Sequence, residues 1–141
     1  MKICGVDLTG NDAVICLLEQ NRGDFNLPDC RVRKLTLIKG HTSMDLLQFQ
    51  FEFAKLMRDY SVDLVTIRER MPKGKFAGGA ISFKLESAIQ LIADLKVTIL
   101  SPTQIKTALS ENPLPIKFTD TGLKAFQEVA FKAAYAAYQM D

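Results

Sequence analysis

Two acidic residues stand where short apolar runs end. Asp7 closes the first in "CGVDLTG", and Glu69 follows the run "VDLVTIR" in "TIRERMPKGKFAGGA". Both runs read as strands, and adjacent strands lie only about 4.8 Å apart, so acids at equivalent strand ends can share one ligand. Left alone, two carboxylates about 4 Å apart repel by roughly 4 kcal/mol at an effective dielectric of 20. A divalent cation removes that penalty. Arg68, Arg70, Lys73 and Lys75 crowd the same stretch with positive charge.

Each feature also has an ordinary reading. Asp7 can bond the backbone of its own "TGN" turn, although the apolar run before it favours burial and a buried acid needs partners. Glu69 with its flanking arginines can form a local ion-pair cluster, worth little if exposed. The glycines of "KGKFAGG" do not follow the GxxxxGK[ST] spacing of a phosphate-cradling loop, which favours a flexible hinge.

The elements that must position these residues follow from periodicity. "KICGVDL" (2–8) and "AVICLLE" (13–19) form an antiparallel hairpin around a Gly/Asn turn. A polar, Gly/Pro-punctuated loop (21–29) leads to a third strand, "CRVRKLTLI" (30–38), with Arg31, Arg33 and Lys34 toward solvent as on an edge. Residues 43–60 alternate locally in "QFQFEF", but their length, Thr42 as N-cap with Asp45 three positions on, and Leu46, Phe49, Phe53, Leu56 and Met57 at helical spacing specify an amphipathic helix. The same alternation puts phenylalanine on more than one face, so part of that helix is expected to meet another subunit in a homodimer.

A fourth strand (62–68), a helix (77–95) with Ile81, Leu85, Ala88, Ile89 and Ile92 on one face, and a fifth strand (96–100) come next. Ser101 caps a helix that begins at Pro102. A proline-rich connector (110–120) precedes a last helix (121–140), whose small face of Ala130, Ala133, Ala134 and Ala137 allows close packing on a sheet. The order is an antiparallel meander followed by two right-handed β–α–β crossovers. The predicted architecture is α/β, a mixed five-stranded sheet flanked by helices in one domain, 1–141, whose strand ends open on one edge where such sheets bind ligands.

Composition removes other classes. The 141 residues are 48% hydrophobic, and 18 basic against 16 acidic side chains give a net charge of +2, too balanced to announce nucleic acid or membrane by itself. Cys4, Cys16 and Cys30 are odd in number and lack CxxC spacing, and no stretch is apolar enough for a signal peptide or membrane span, so a reduced, cytoplasmic protein is expected. A single histidine, His41, reads as a solvated turn residue and excludes a His/Cys metal site or a serine-type triad.

The meander, the β–α–β–α–β continuation, the aspartate of "GVDLTG" and the glutamate after the fourth strand resemble the RNase H-like fold, remotely its RuvC-type Holliday-junction resolvase branch, as a separate bacterial family within it. The stretch from "IRERMPKG" to "SPTQIKTAL" is similar to that branch's segment from the second catalytic acid to a helix carrying a lysine. The resemblance implies a metal-dependent nuclease, with Asp7 and Glu69 as catalytic, metal-holding acids and Lys106 as a phosphate-contacting lysine. It implies Mg²⁺ or Mn²⁺, in-line attack of water on a phosphodiester, and DNA or RNA held by Arg68, Arg70, Lys73, Lys75 and Lys132.

The chain departs from that branch on the last helix, where two further aspartates are expected one turn apart. "FQEVAFKAAYAAY" offers Glu128 for one of them as a third metal ligand, and Phe131 or Lys132 for the other. Asp120 is the fallback. Glu128 and Lys132 also make an ordinary i,i+4 pair. Lys132 could even occupy a metal position as a fixed cation. Two function classes therefore stand side by side: a metal-dependent endonuclease, and a degenerate RuvC-like module that binds nucleic acid or scaffolds without catalysis. A sugar-kinase-like phosphate turn in "GVDLTGND" is weaker, since the chain is too short for the second lobe such clefts need.

Overall fold

The computed structural model describes residues 1–38, 42–74 and 78–140. Strands β1 (Lys2–Thr9) and β2 (Asp12–Asn21) form the expected hairpin, turned at Gly10 with a φ of 58° that favours glycine. Strand β5 (Leu64–Arg68) joins β1 in parallel and β6 (Val97–Leu100) joins β5 in parallel. The third position of the meander is split. Short strands β3 (Asp24–Asn26) and β4 (Lys34–Thr36) pair with opposite ends of β2, where the sequence predicts a loop over 21–29 and one strand over 30–38. Pro28, which has no N–H to give a ladder, lies in the interrupting segment. The five-position mixed sheet thus carries six strands, ordered β3-β2-β1-β5-β6 with β4 beside β2.

Strand alternation sends successive side chains to opposite layers. Cys4, Val6, Leu8, Ile15, Leu17, Val65 and Ile67 meet helices α1 (Ser43–Asp59) and α2 (Ala80–Gln90). Ile3, Val14, Cys16, Leu18, Leu64 and Leu100 meet α3 (Pro102–Glu111) and α4 (Glu128–Gln139). Helix α1 starts in a capping box between Thr42 and Asp45; of its alternating phenylalanines Phe49 and Phe53 are buried in the core, and Phe51 is exposed, as are Met44 and Leu47. Helix α2 is shorter than the predicted 77–95. It stops at Gln90, and Asp94 turns the chain into β6 with a φ of 62°.

The last helix is also shorter than predicted. Residues 118–120 and 125–127 make single 3-10 turns around Gly122, whose φ of 79° interrupts an α-helix, and α4 begins at Glu128. From there Ala130, Ala133, Ala134 and Ala137 are buried against the sheet as the small-residue face predicts. Among the described residues no helix is long and apolar enough to cross a membrane.

Candidate functional site at the strand ends

Register decides which side chains meet. Gly5 and Val6 of β1 pair with Thr66 and Ile67 of β5. One rung further on, Asp7 therefore stands beside Arg68. Both project to the α3/α4 layer, because their neighbours Val6, Leu8 and Ile67 fill the α1/α2 core. Glu69 is still tied to the sheet, its amide donating to the Leu100 carbonyl at 2.8 Å. By the pleat it turns to the α2 layer, where burial and the negative charge of Glu69 both raise the carboxyl pKa of Glu86. The two acids that end the strands thus face opposite layers. The residue beside Asp7 is a cation.

Asp7 is half-buried, and burial pushes its carboxyl pKa up, while the positive charges of Arg68 and then Arg70 pull it back only in part. Neither arginine closes an ion pair with it among the described residues. Arg70 is packed at the start of α2. A Cβ on Gly78 would fall 2.7 Å from Arg70 Cβ and 3.0 Å from Arg70 Nε, so only glycine leaves room for this side chain. The Gly78 amide donates to the Met71 carbonyl at 2.8 Å and closes the bracket. Arg70 Nε is enclosed with no acceptor among the described residues, a deficit of about 1–3 kcal/mol.

Arg68, Glu69, Arg70 and Met71 form one wall of a cleft of about 560 Å³ whose other wall is Ser101, Pro102 and Thr103. The second wall is the start of α3. There Ser101 Oγ accepts from the Gln104 amide at 3.0 Å and Gln104 Oε1 accepts from the Ser101 amide at 2.9 Å. Pro102 has no N–H, which leaves the Thr103 amide as a first-turn donor at the positive end of the helix. Arg68, Arg70 and the start of α3 thus line one opening, with Glu69 in the same wall. That is an anion-binding arrangement, since arginine forks match planar or tetrahedral oxyanions.

The other predicted site residues lie apart from this cleft wall. Lys106 is exposed on α3, one turn beyond Pro102, and Lys73 is exposed beyond β5. Lys75 and His41 lie outside the described residues. Glu128 is bridged to Lys132 at 3.2 Å. It precedes the sheet-facing Ala130 by two residues, about 200° round the helix, and so points away from β1. Asp120 is exposed in its 3-10 turn.

These donors do not fit a resident divalent ion. Among the described residues no three His, Cys, Asp or Glu side chains come together to hold a metal. The position beside Asp7 carries positive charge, Glu69 faces the other layer, and Glu128 is paired on the outside of α4. The cap at Ser101 is as the sequence predicts, but the places of Thr103, Gly78 and Glu86 go unread in it. Only the "GG" before α2 hints at a close approach.

The family model described as "Protein of unknown function (DUF3010)" matches residues 1–137. The chain belongs to the DUF3010 family. No curated protein matches the sequence of this DUF3010 member. Among solved structures it is similar to Thermus thermophilus RuvC, at 13% identity and a TM-score of 0.74, over 99% of this chain and 94% of that one. The yeast mitochondrial Holliday junction resolvase is similar at 9% identity and a TM-score of 0.59, over 97% and 75% of the two chains. Fowlpox virus resolvase, solved with Holliday junction DNA, is similar at 13% identity and a TM-score of 0.53, over 98% of each. The fold of this DUF3010 chain is RuvC-like, as the resemblance implies.

Proposed function

We propose that this DUF3010 chain is a RuvC-like domain that acts on nucleic acid by binding its phosphate backbone at the strand-end cleft, as a binding module and not as a complete two-metal nuclease. The observation that carries this reading is the placement of Arg68 beside Asp7, with Arg70 next to it in the wall opposite the start of α3. A phosphodiester oxygen in that cleft would face Arg68, Arg70 and the first turn of α3, whose positive charge outweighs the Glu69 carboxylate in the same wall. Such contacts position a backbone without reading its sequence. Lys73 and Lys106 extend the positive charge on either side. Structural neighbours solved with Holliday junction DNA support nucleic acid as the source of the phosphate.

The test is fluorescence anisotropy with labelled single-stranded, duplex and four-way-junction DNA and RNA across a salt series. Binding is expected to weaken steeply with salt, and losing one arginine contact should lower the log–log slope by about 1. A flat salt response, or no binding at low salt, removes nucleic acid from the account. The competing reading is hydrolysis by the set Asp7, Glu69 and Glu128 with Lys106. It is favoured by the retention of an acid at the end of β1, and it predicts Mg²⁺- or Mn²⁺-dependent cleavage of the same substrates that Asp7→Asn abolishes.

A further inference from the structure

A divalent ion shared between strand ends needs a second carboxylate on the same face as Asp7. In this chain the register places a guanidinium there. Val6 pairs with Ile67, so Arg68 takes the next rung alongside Asp7 on the α3/α4 face, while Glu69 is turned to the α2 layer. A second guanidinium is held nearby in a seat that a Cβ at Gly78 would fill. A cation entering beside Asp7 would meet two like charges and one half-buried carboxylate. A phosphate oxygen entering the adjoining cleft, which Arg68 and Arg70 line together with Glu69, would meet two opposite charges against one like charge.

We infer that Arg68 is the resident cation of this site, standing where a divalent metal would need to bind, so that the cleft takes phosphate without any metal. The inference deepens the nucleic-acid reading and rests on it for the identity of the ligand. The substitution of one charge is enough to separate the two designs: a carboxylate at position 68 would complete a pair with Asp7 across adjacent strands, the geometry a divalent ion needs.

The experiment measures Mn²⁺ binding by calorimetry on the full chain, and DNA binding by anisotropy in EDTA and in Mn²⁺. Wild type is expected to bind no stoichiometric Mn²⁺ and to hold DNA with the same affinity, within twofold, in either buffer. Arg68→Glu is expected to gain stoichiometric Mn²⁺ binding, and adding Asp7→Asn to it should remove that gain. Arg68→Gln, which adds no carboxylate, should gain no Mn²⁺ and lose about tenfold in DNA affinity in EDTA. Stoichiometric Mn²⁺ binding by wild type that Asp7→Asn abolishes overturns the inference. So does a folded Arg68→Glu, judged by circular dichroism, that gains none. If neither buffer supports DNA binding, the nucleic-acid reading falls while the Mn²⁺ arms still judge the place of Arg68.

Discussion

Gly5 in the middle of β1 lies directly under the backbone of Ala130 on α4. A Cβ at Gly5 would fall 2.9 Å from both the Ala130 carbonyl carbon and the Ala134 amide nitrogen, and would collide with the Ala130 carbonyl oxygen. These contacts are main chain on both sides, so no rotamer relieves them. Gly5→Ala must therefore lift the helix off the strand that carries Asp7. The expected loss is about 3 kcal/mol or more, at the upper end for overpacking. A urea midpoint that falls with an unchanged m-value would confirm it, and an unchanged midpoint would refute the close approach.

Asp7 should limit stability at neutral pH. Its carboxyl pKa is raised above 3.8, chiefly by burial, so the folded state prefers the protonated acid. That preference stabilises the fold below the ordinary carboxyl value, and it is lost as pH rises through the raised one. Asp7→Asn removes the titrating charge. The variant is expected to melt higher than wild type at pH 7, with the difference closing below pH 3.8, where both forms are neutral. A neutral-pH melting point below that of wild type would contradict the burial argument.

Arg70 should show opposite effects on stability and binding. Its Nε is enclosed without an acceptor, while its side chain is packed at Gly78. Arg70→Met keeps most of the packed stem and deletes the unsatisfied donor, so stability should rise by about 1 kcal/mol. Affinity for DNA should fall by about tenfold, with a shallower salt dependence. If melting and binding fall together, Arg70 serves the fold and not the ligand.

Gly78→Ala tests the same seat without touching charge. The added methyl meets Arg70 Cβ at 2.7 Å and Ser82 Oγ at 2.9 Å, and so displaces the guanidinium. DNA affinity should fall several-fold although all the cations remain. Affinity equal to wild type would show that Arg70 does not need its seat.

Tyr138 ties the far end of α4 to the opposite end of the hairpin from Asp7. Its hydroxyl accepts from the Gln20 amide at 3.1 Å and lies 2.9 Å from the Leu18 carbonyl, with the Met1 carbonyl also in contact. Burial, ahead of the other influences on it, pushes the phenol pKa up from 10 to about 12. The sign is that of a neutral group favoured by folding: its stabilisation is complete below pH 10 and is lost toward pH 12. Tyr138→Phe should cost about 1–3 kcal/mol at neutral pH and flatten that alkaline decline, while leaving DNA binding unchanged. An alkaline melting profile identical to wild type would exclude the phenol as its source.

The sequence by itself determined the β1–β2 hairpin, the two parallel strands, the order of the helices and two helix starts, because these are local signals, but not the division of the third sheet position into β3 and β4. Alternation marks β1, β2 and β5. Thr42 with Asp45, and Ser101 with Pro102 and Gln104, carry their caps within one turn. The alanines of α4 announce close packing, and Asp7 and Glu69 mark the ends of two adjacent strands. What stands beside Asp7 was not legible. Arg68 and Glu69 are neighbours in the chain but face opposite layers, and only the pairing of Val6 with Ile67 decides which one joins Asp7. A shift of one residue would exchange them, since side chains alternate with period two. In the same way Glu128 reads as a ligand until the seating of Ala130 and Ala134 on Gly5 fixes the rotation of α4 and turns it outward. Local residue pattern specifies elements. Register and helix rotation are set by partners distant in sequence, and here they decide whether the strand ends hold a metal or a guanidinium.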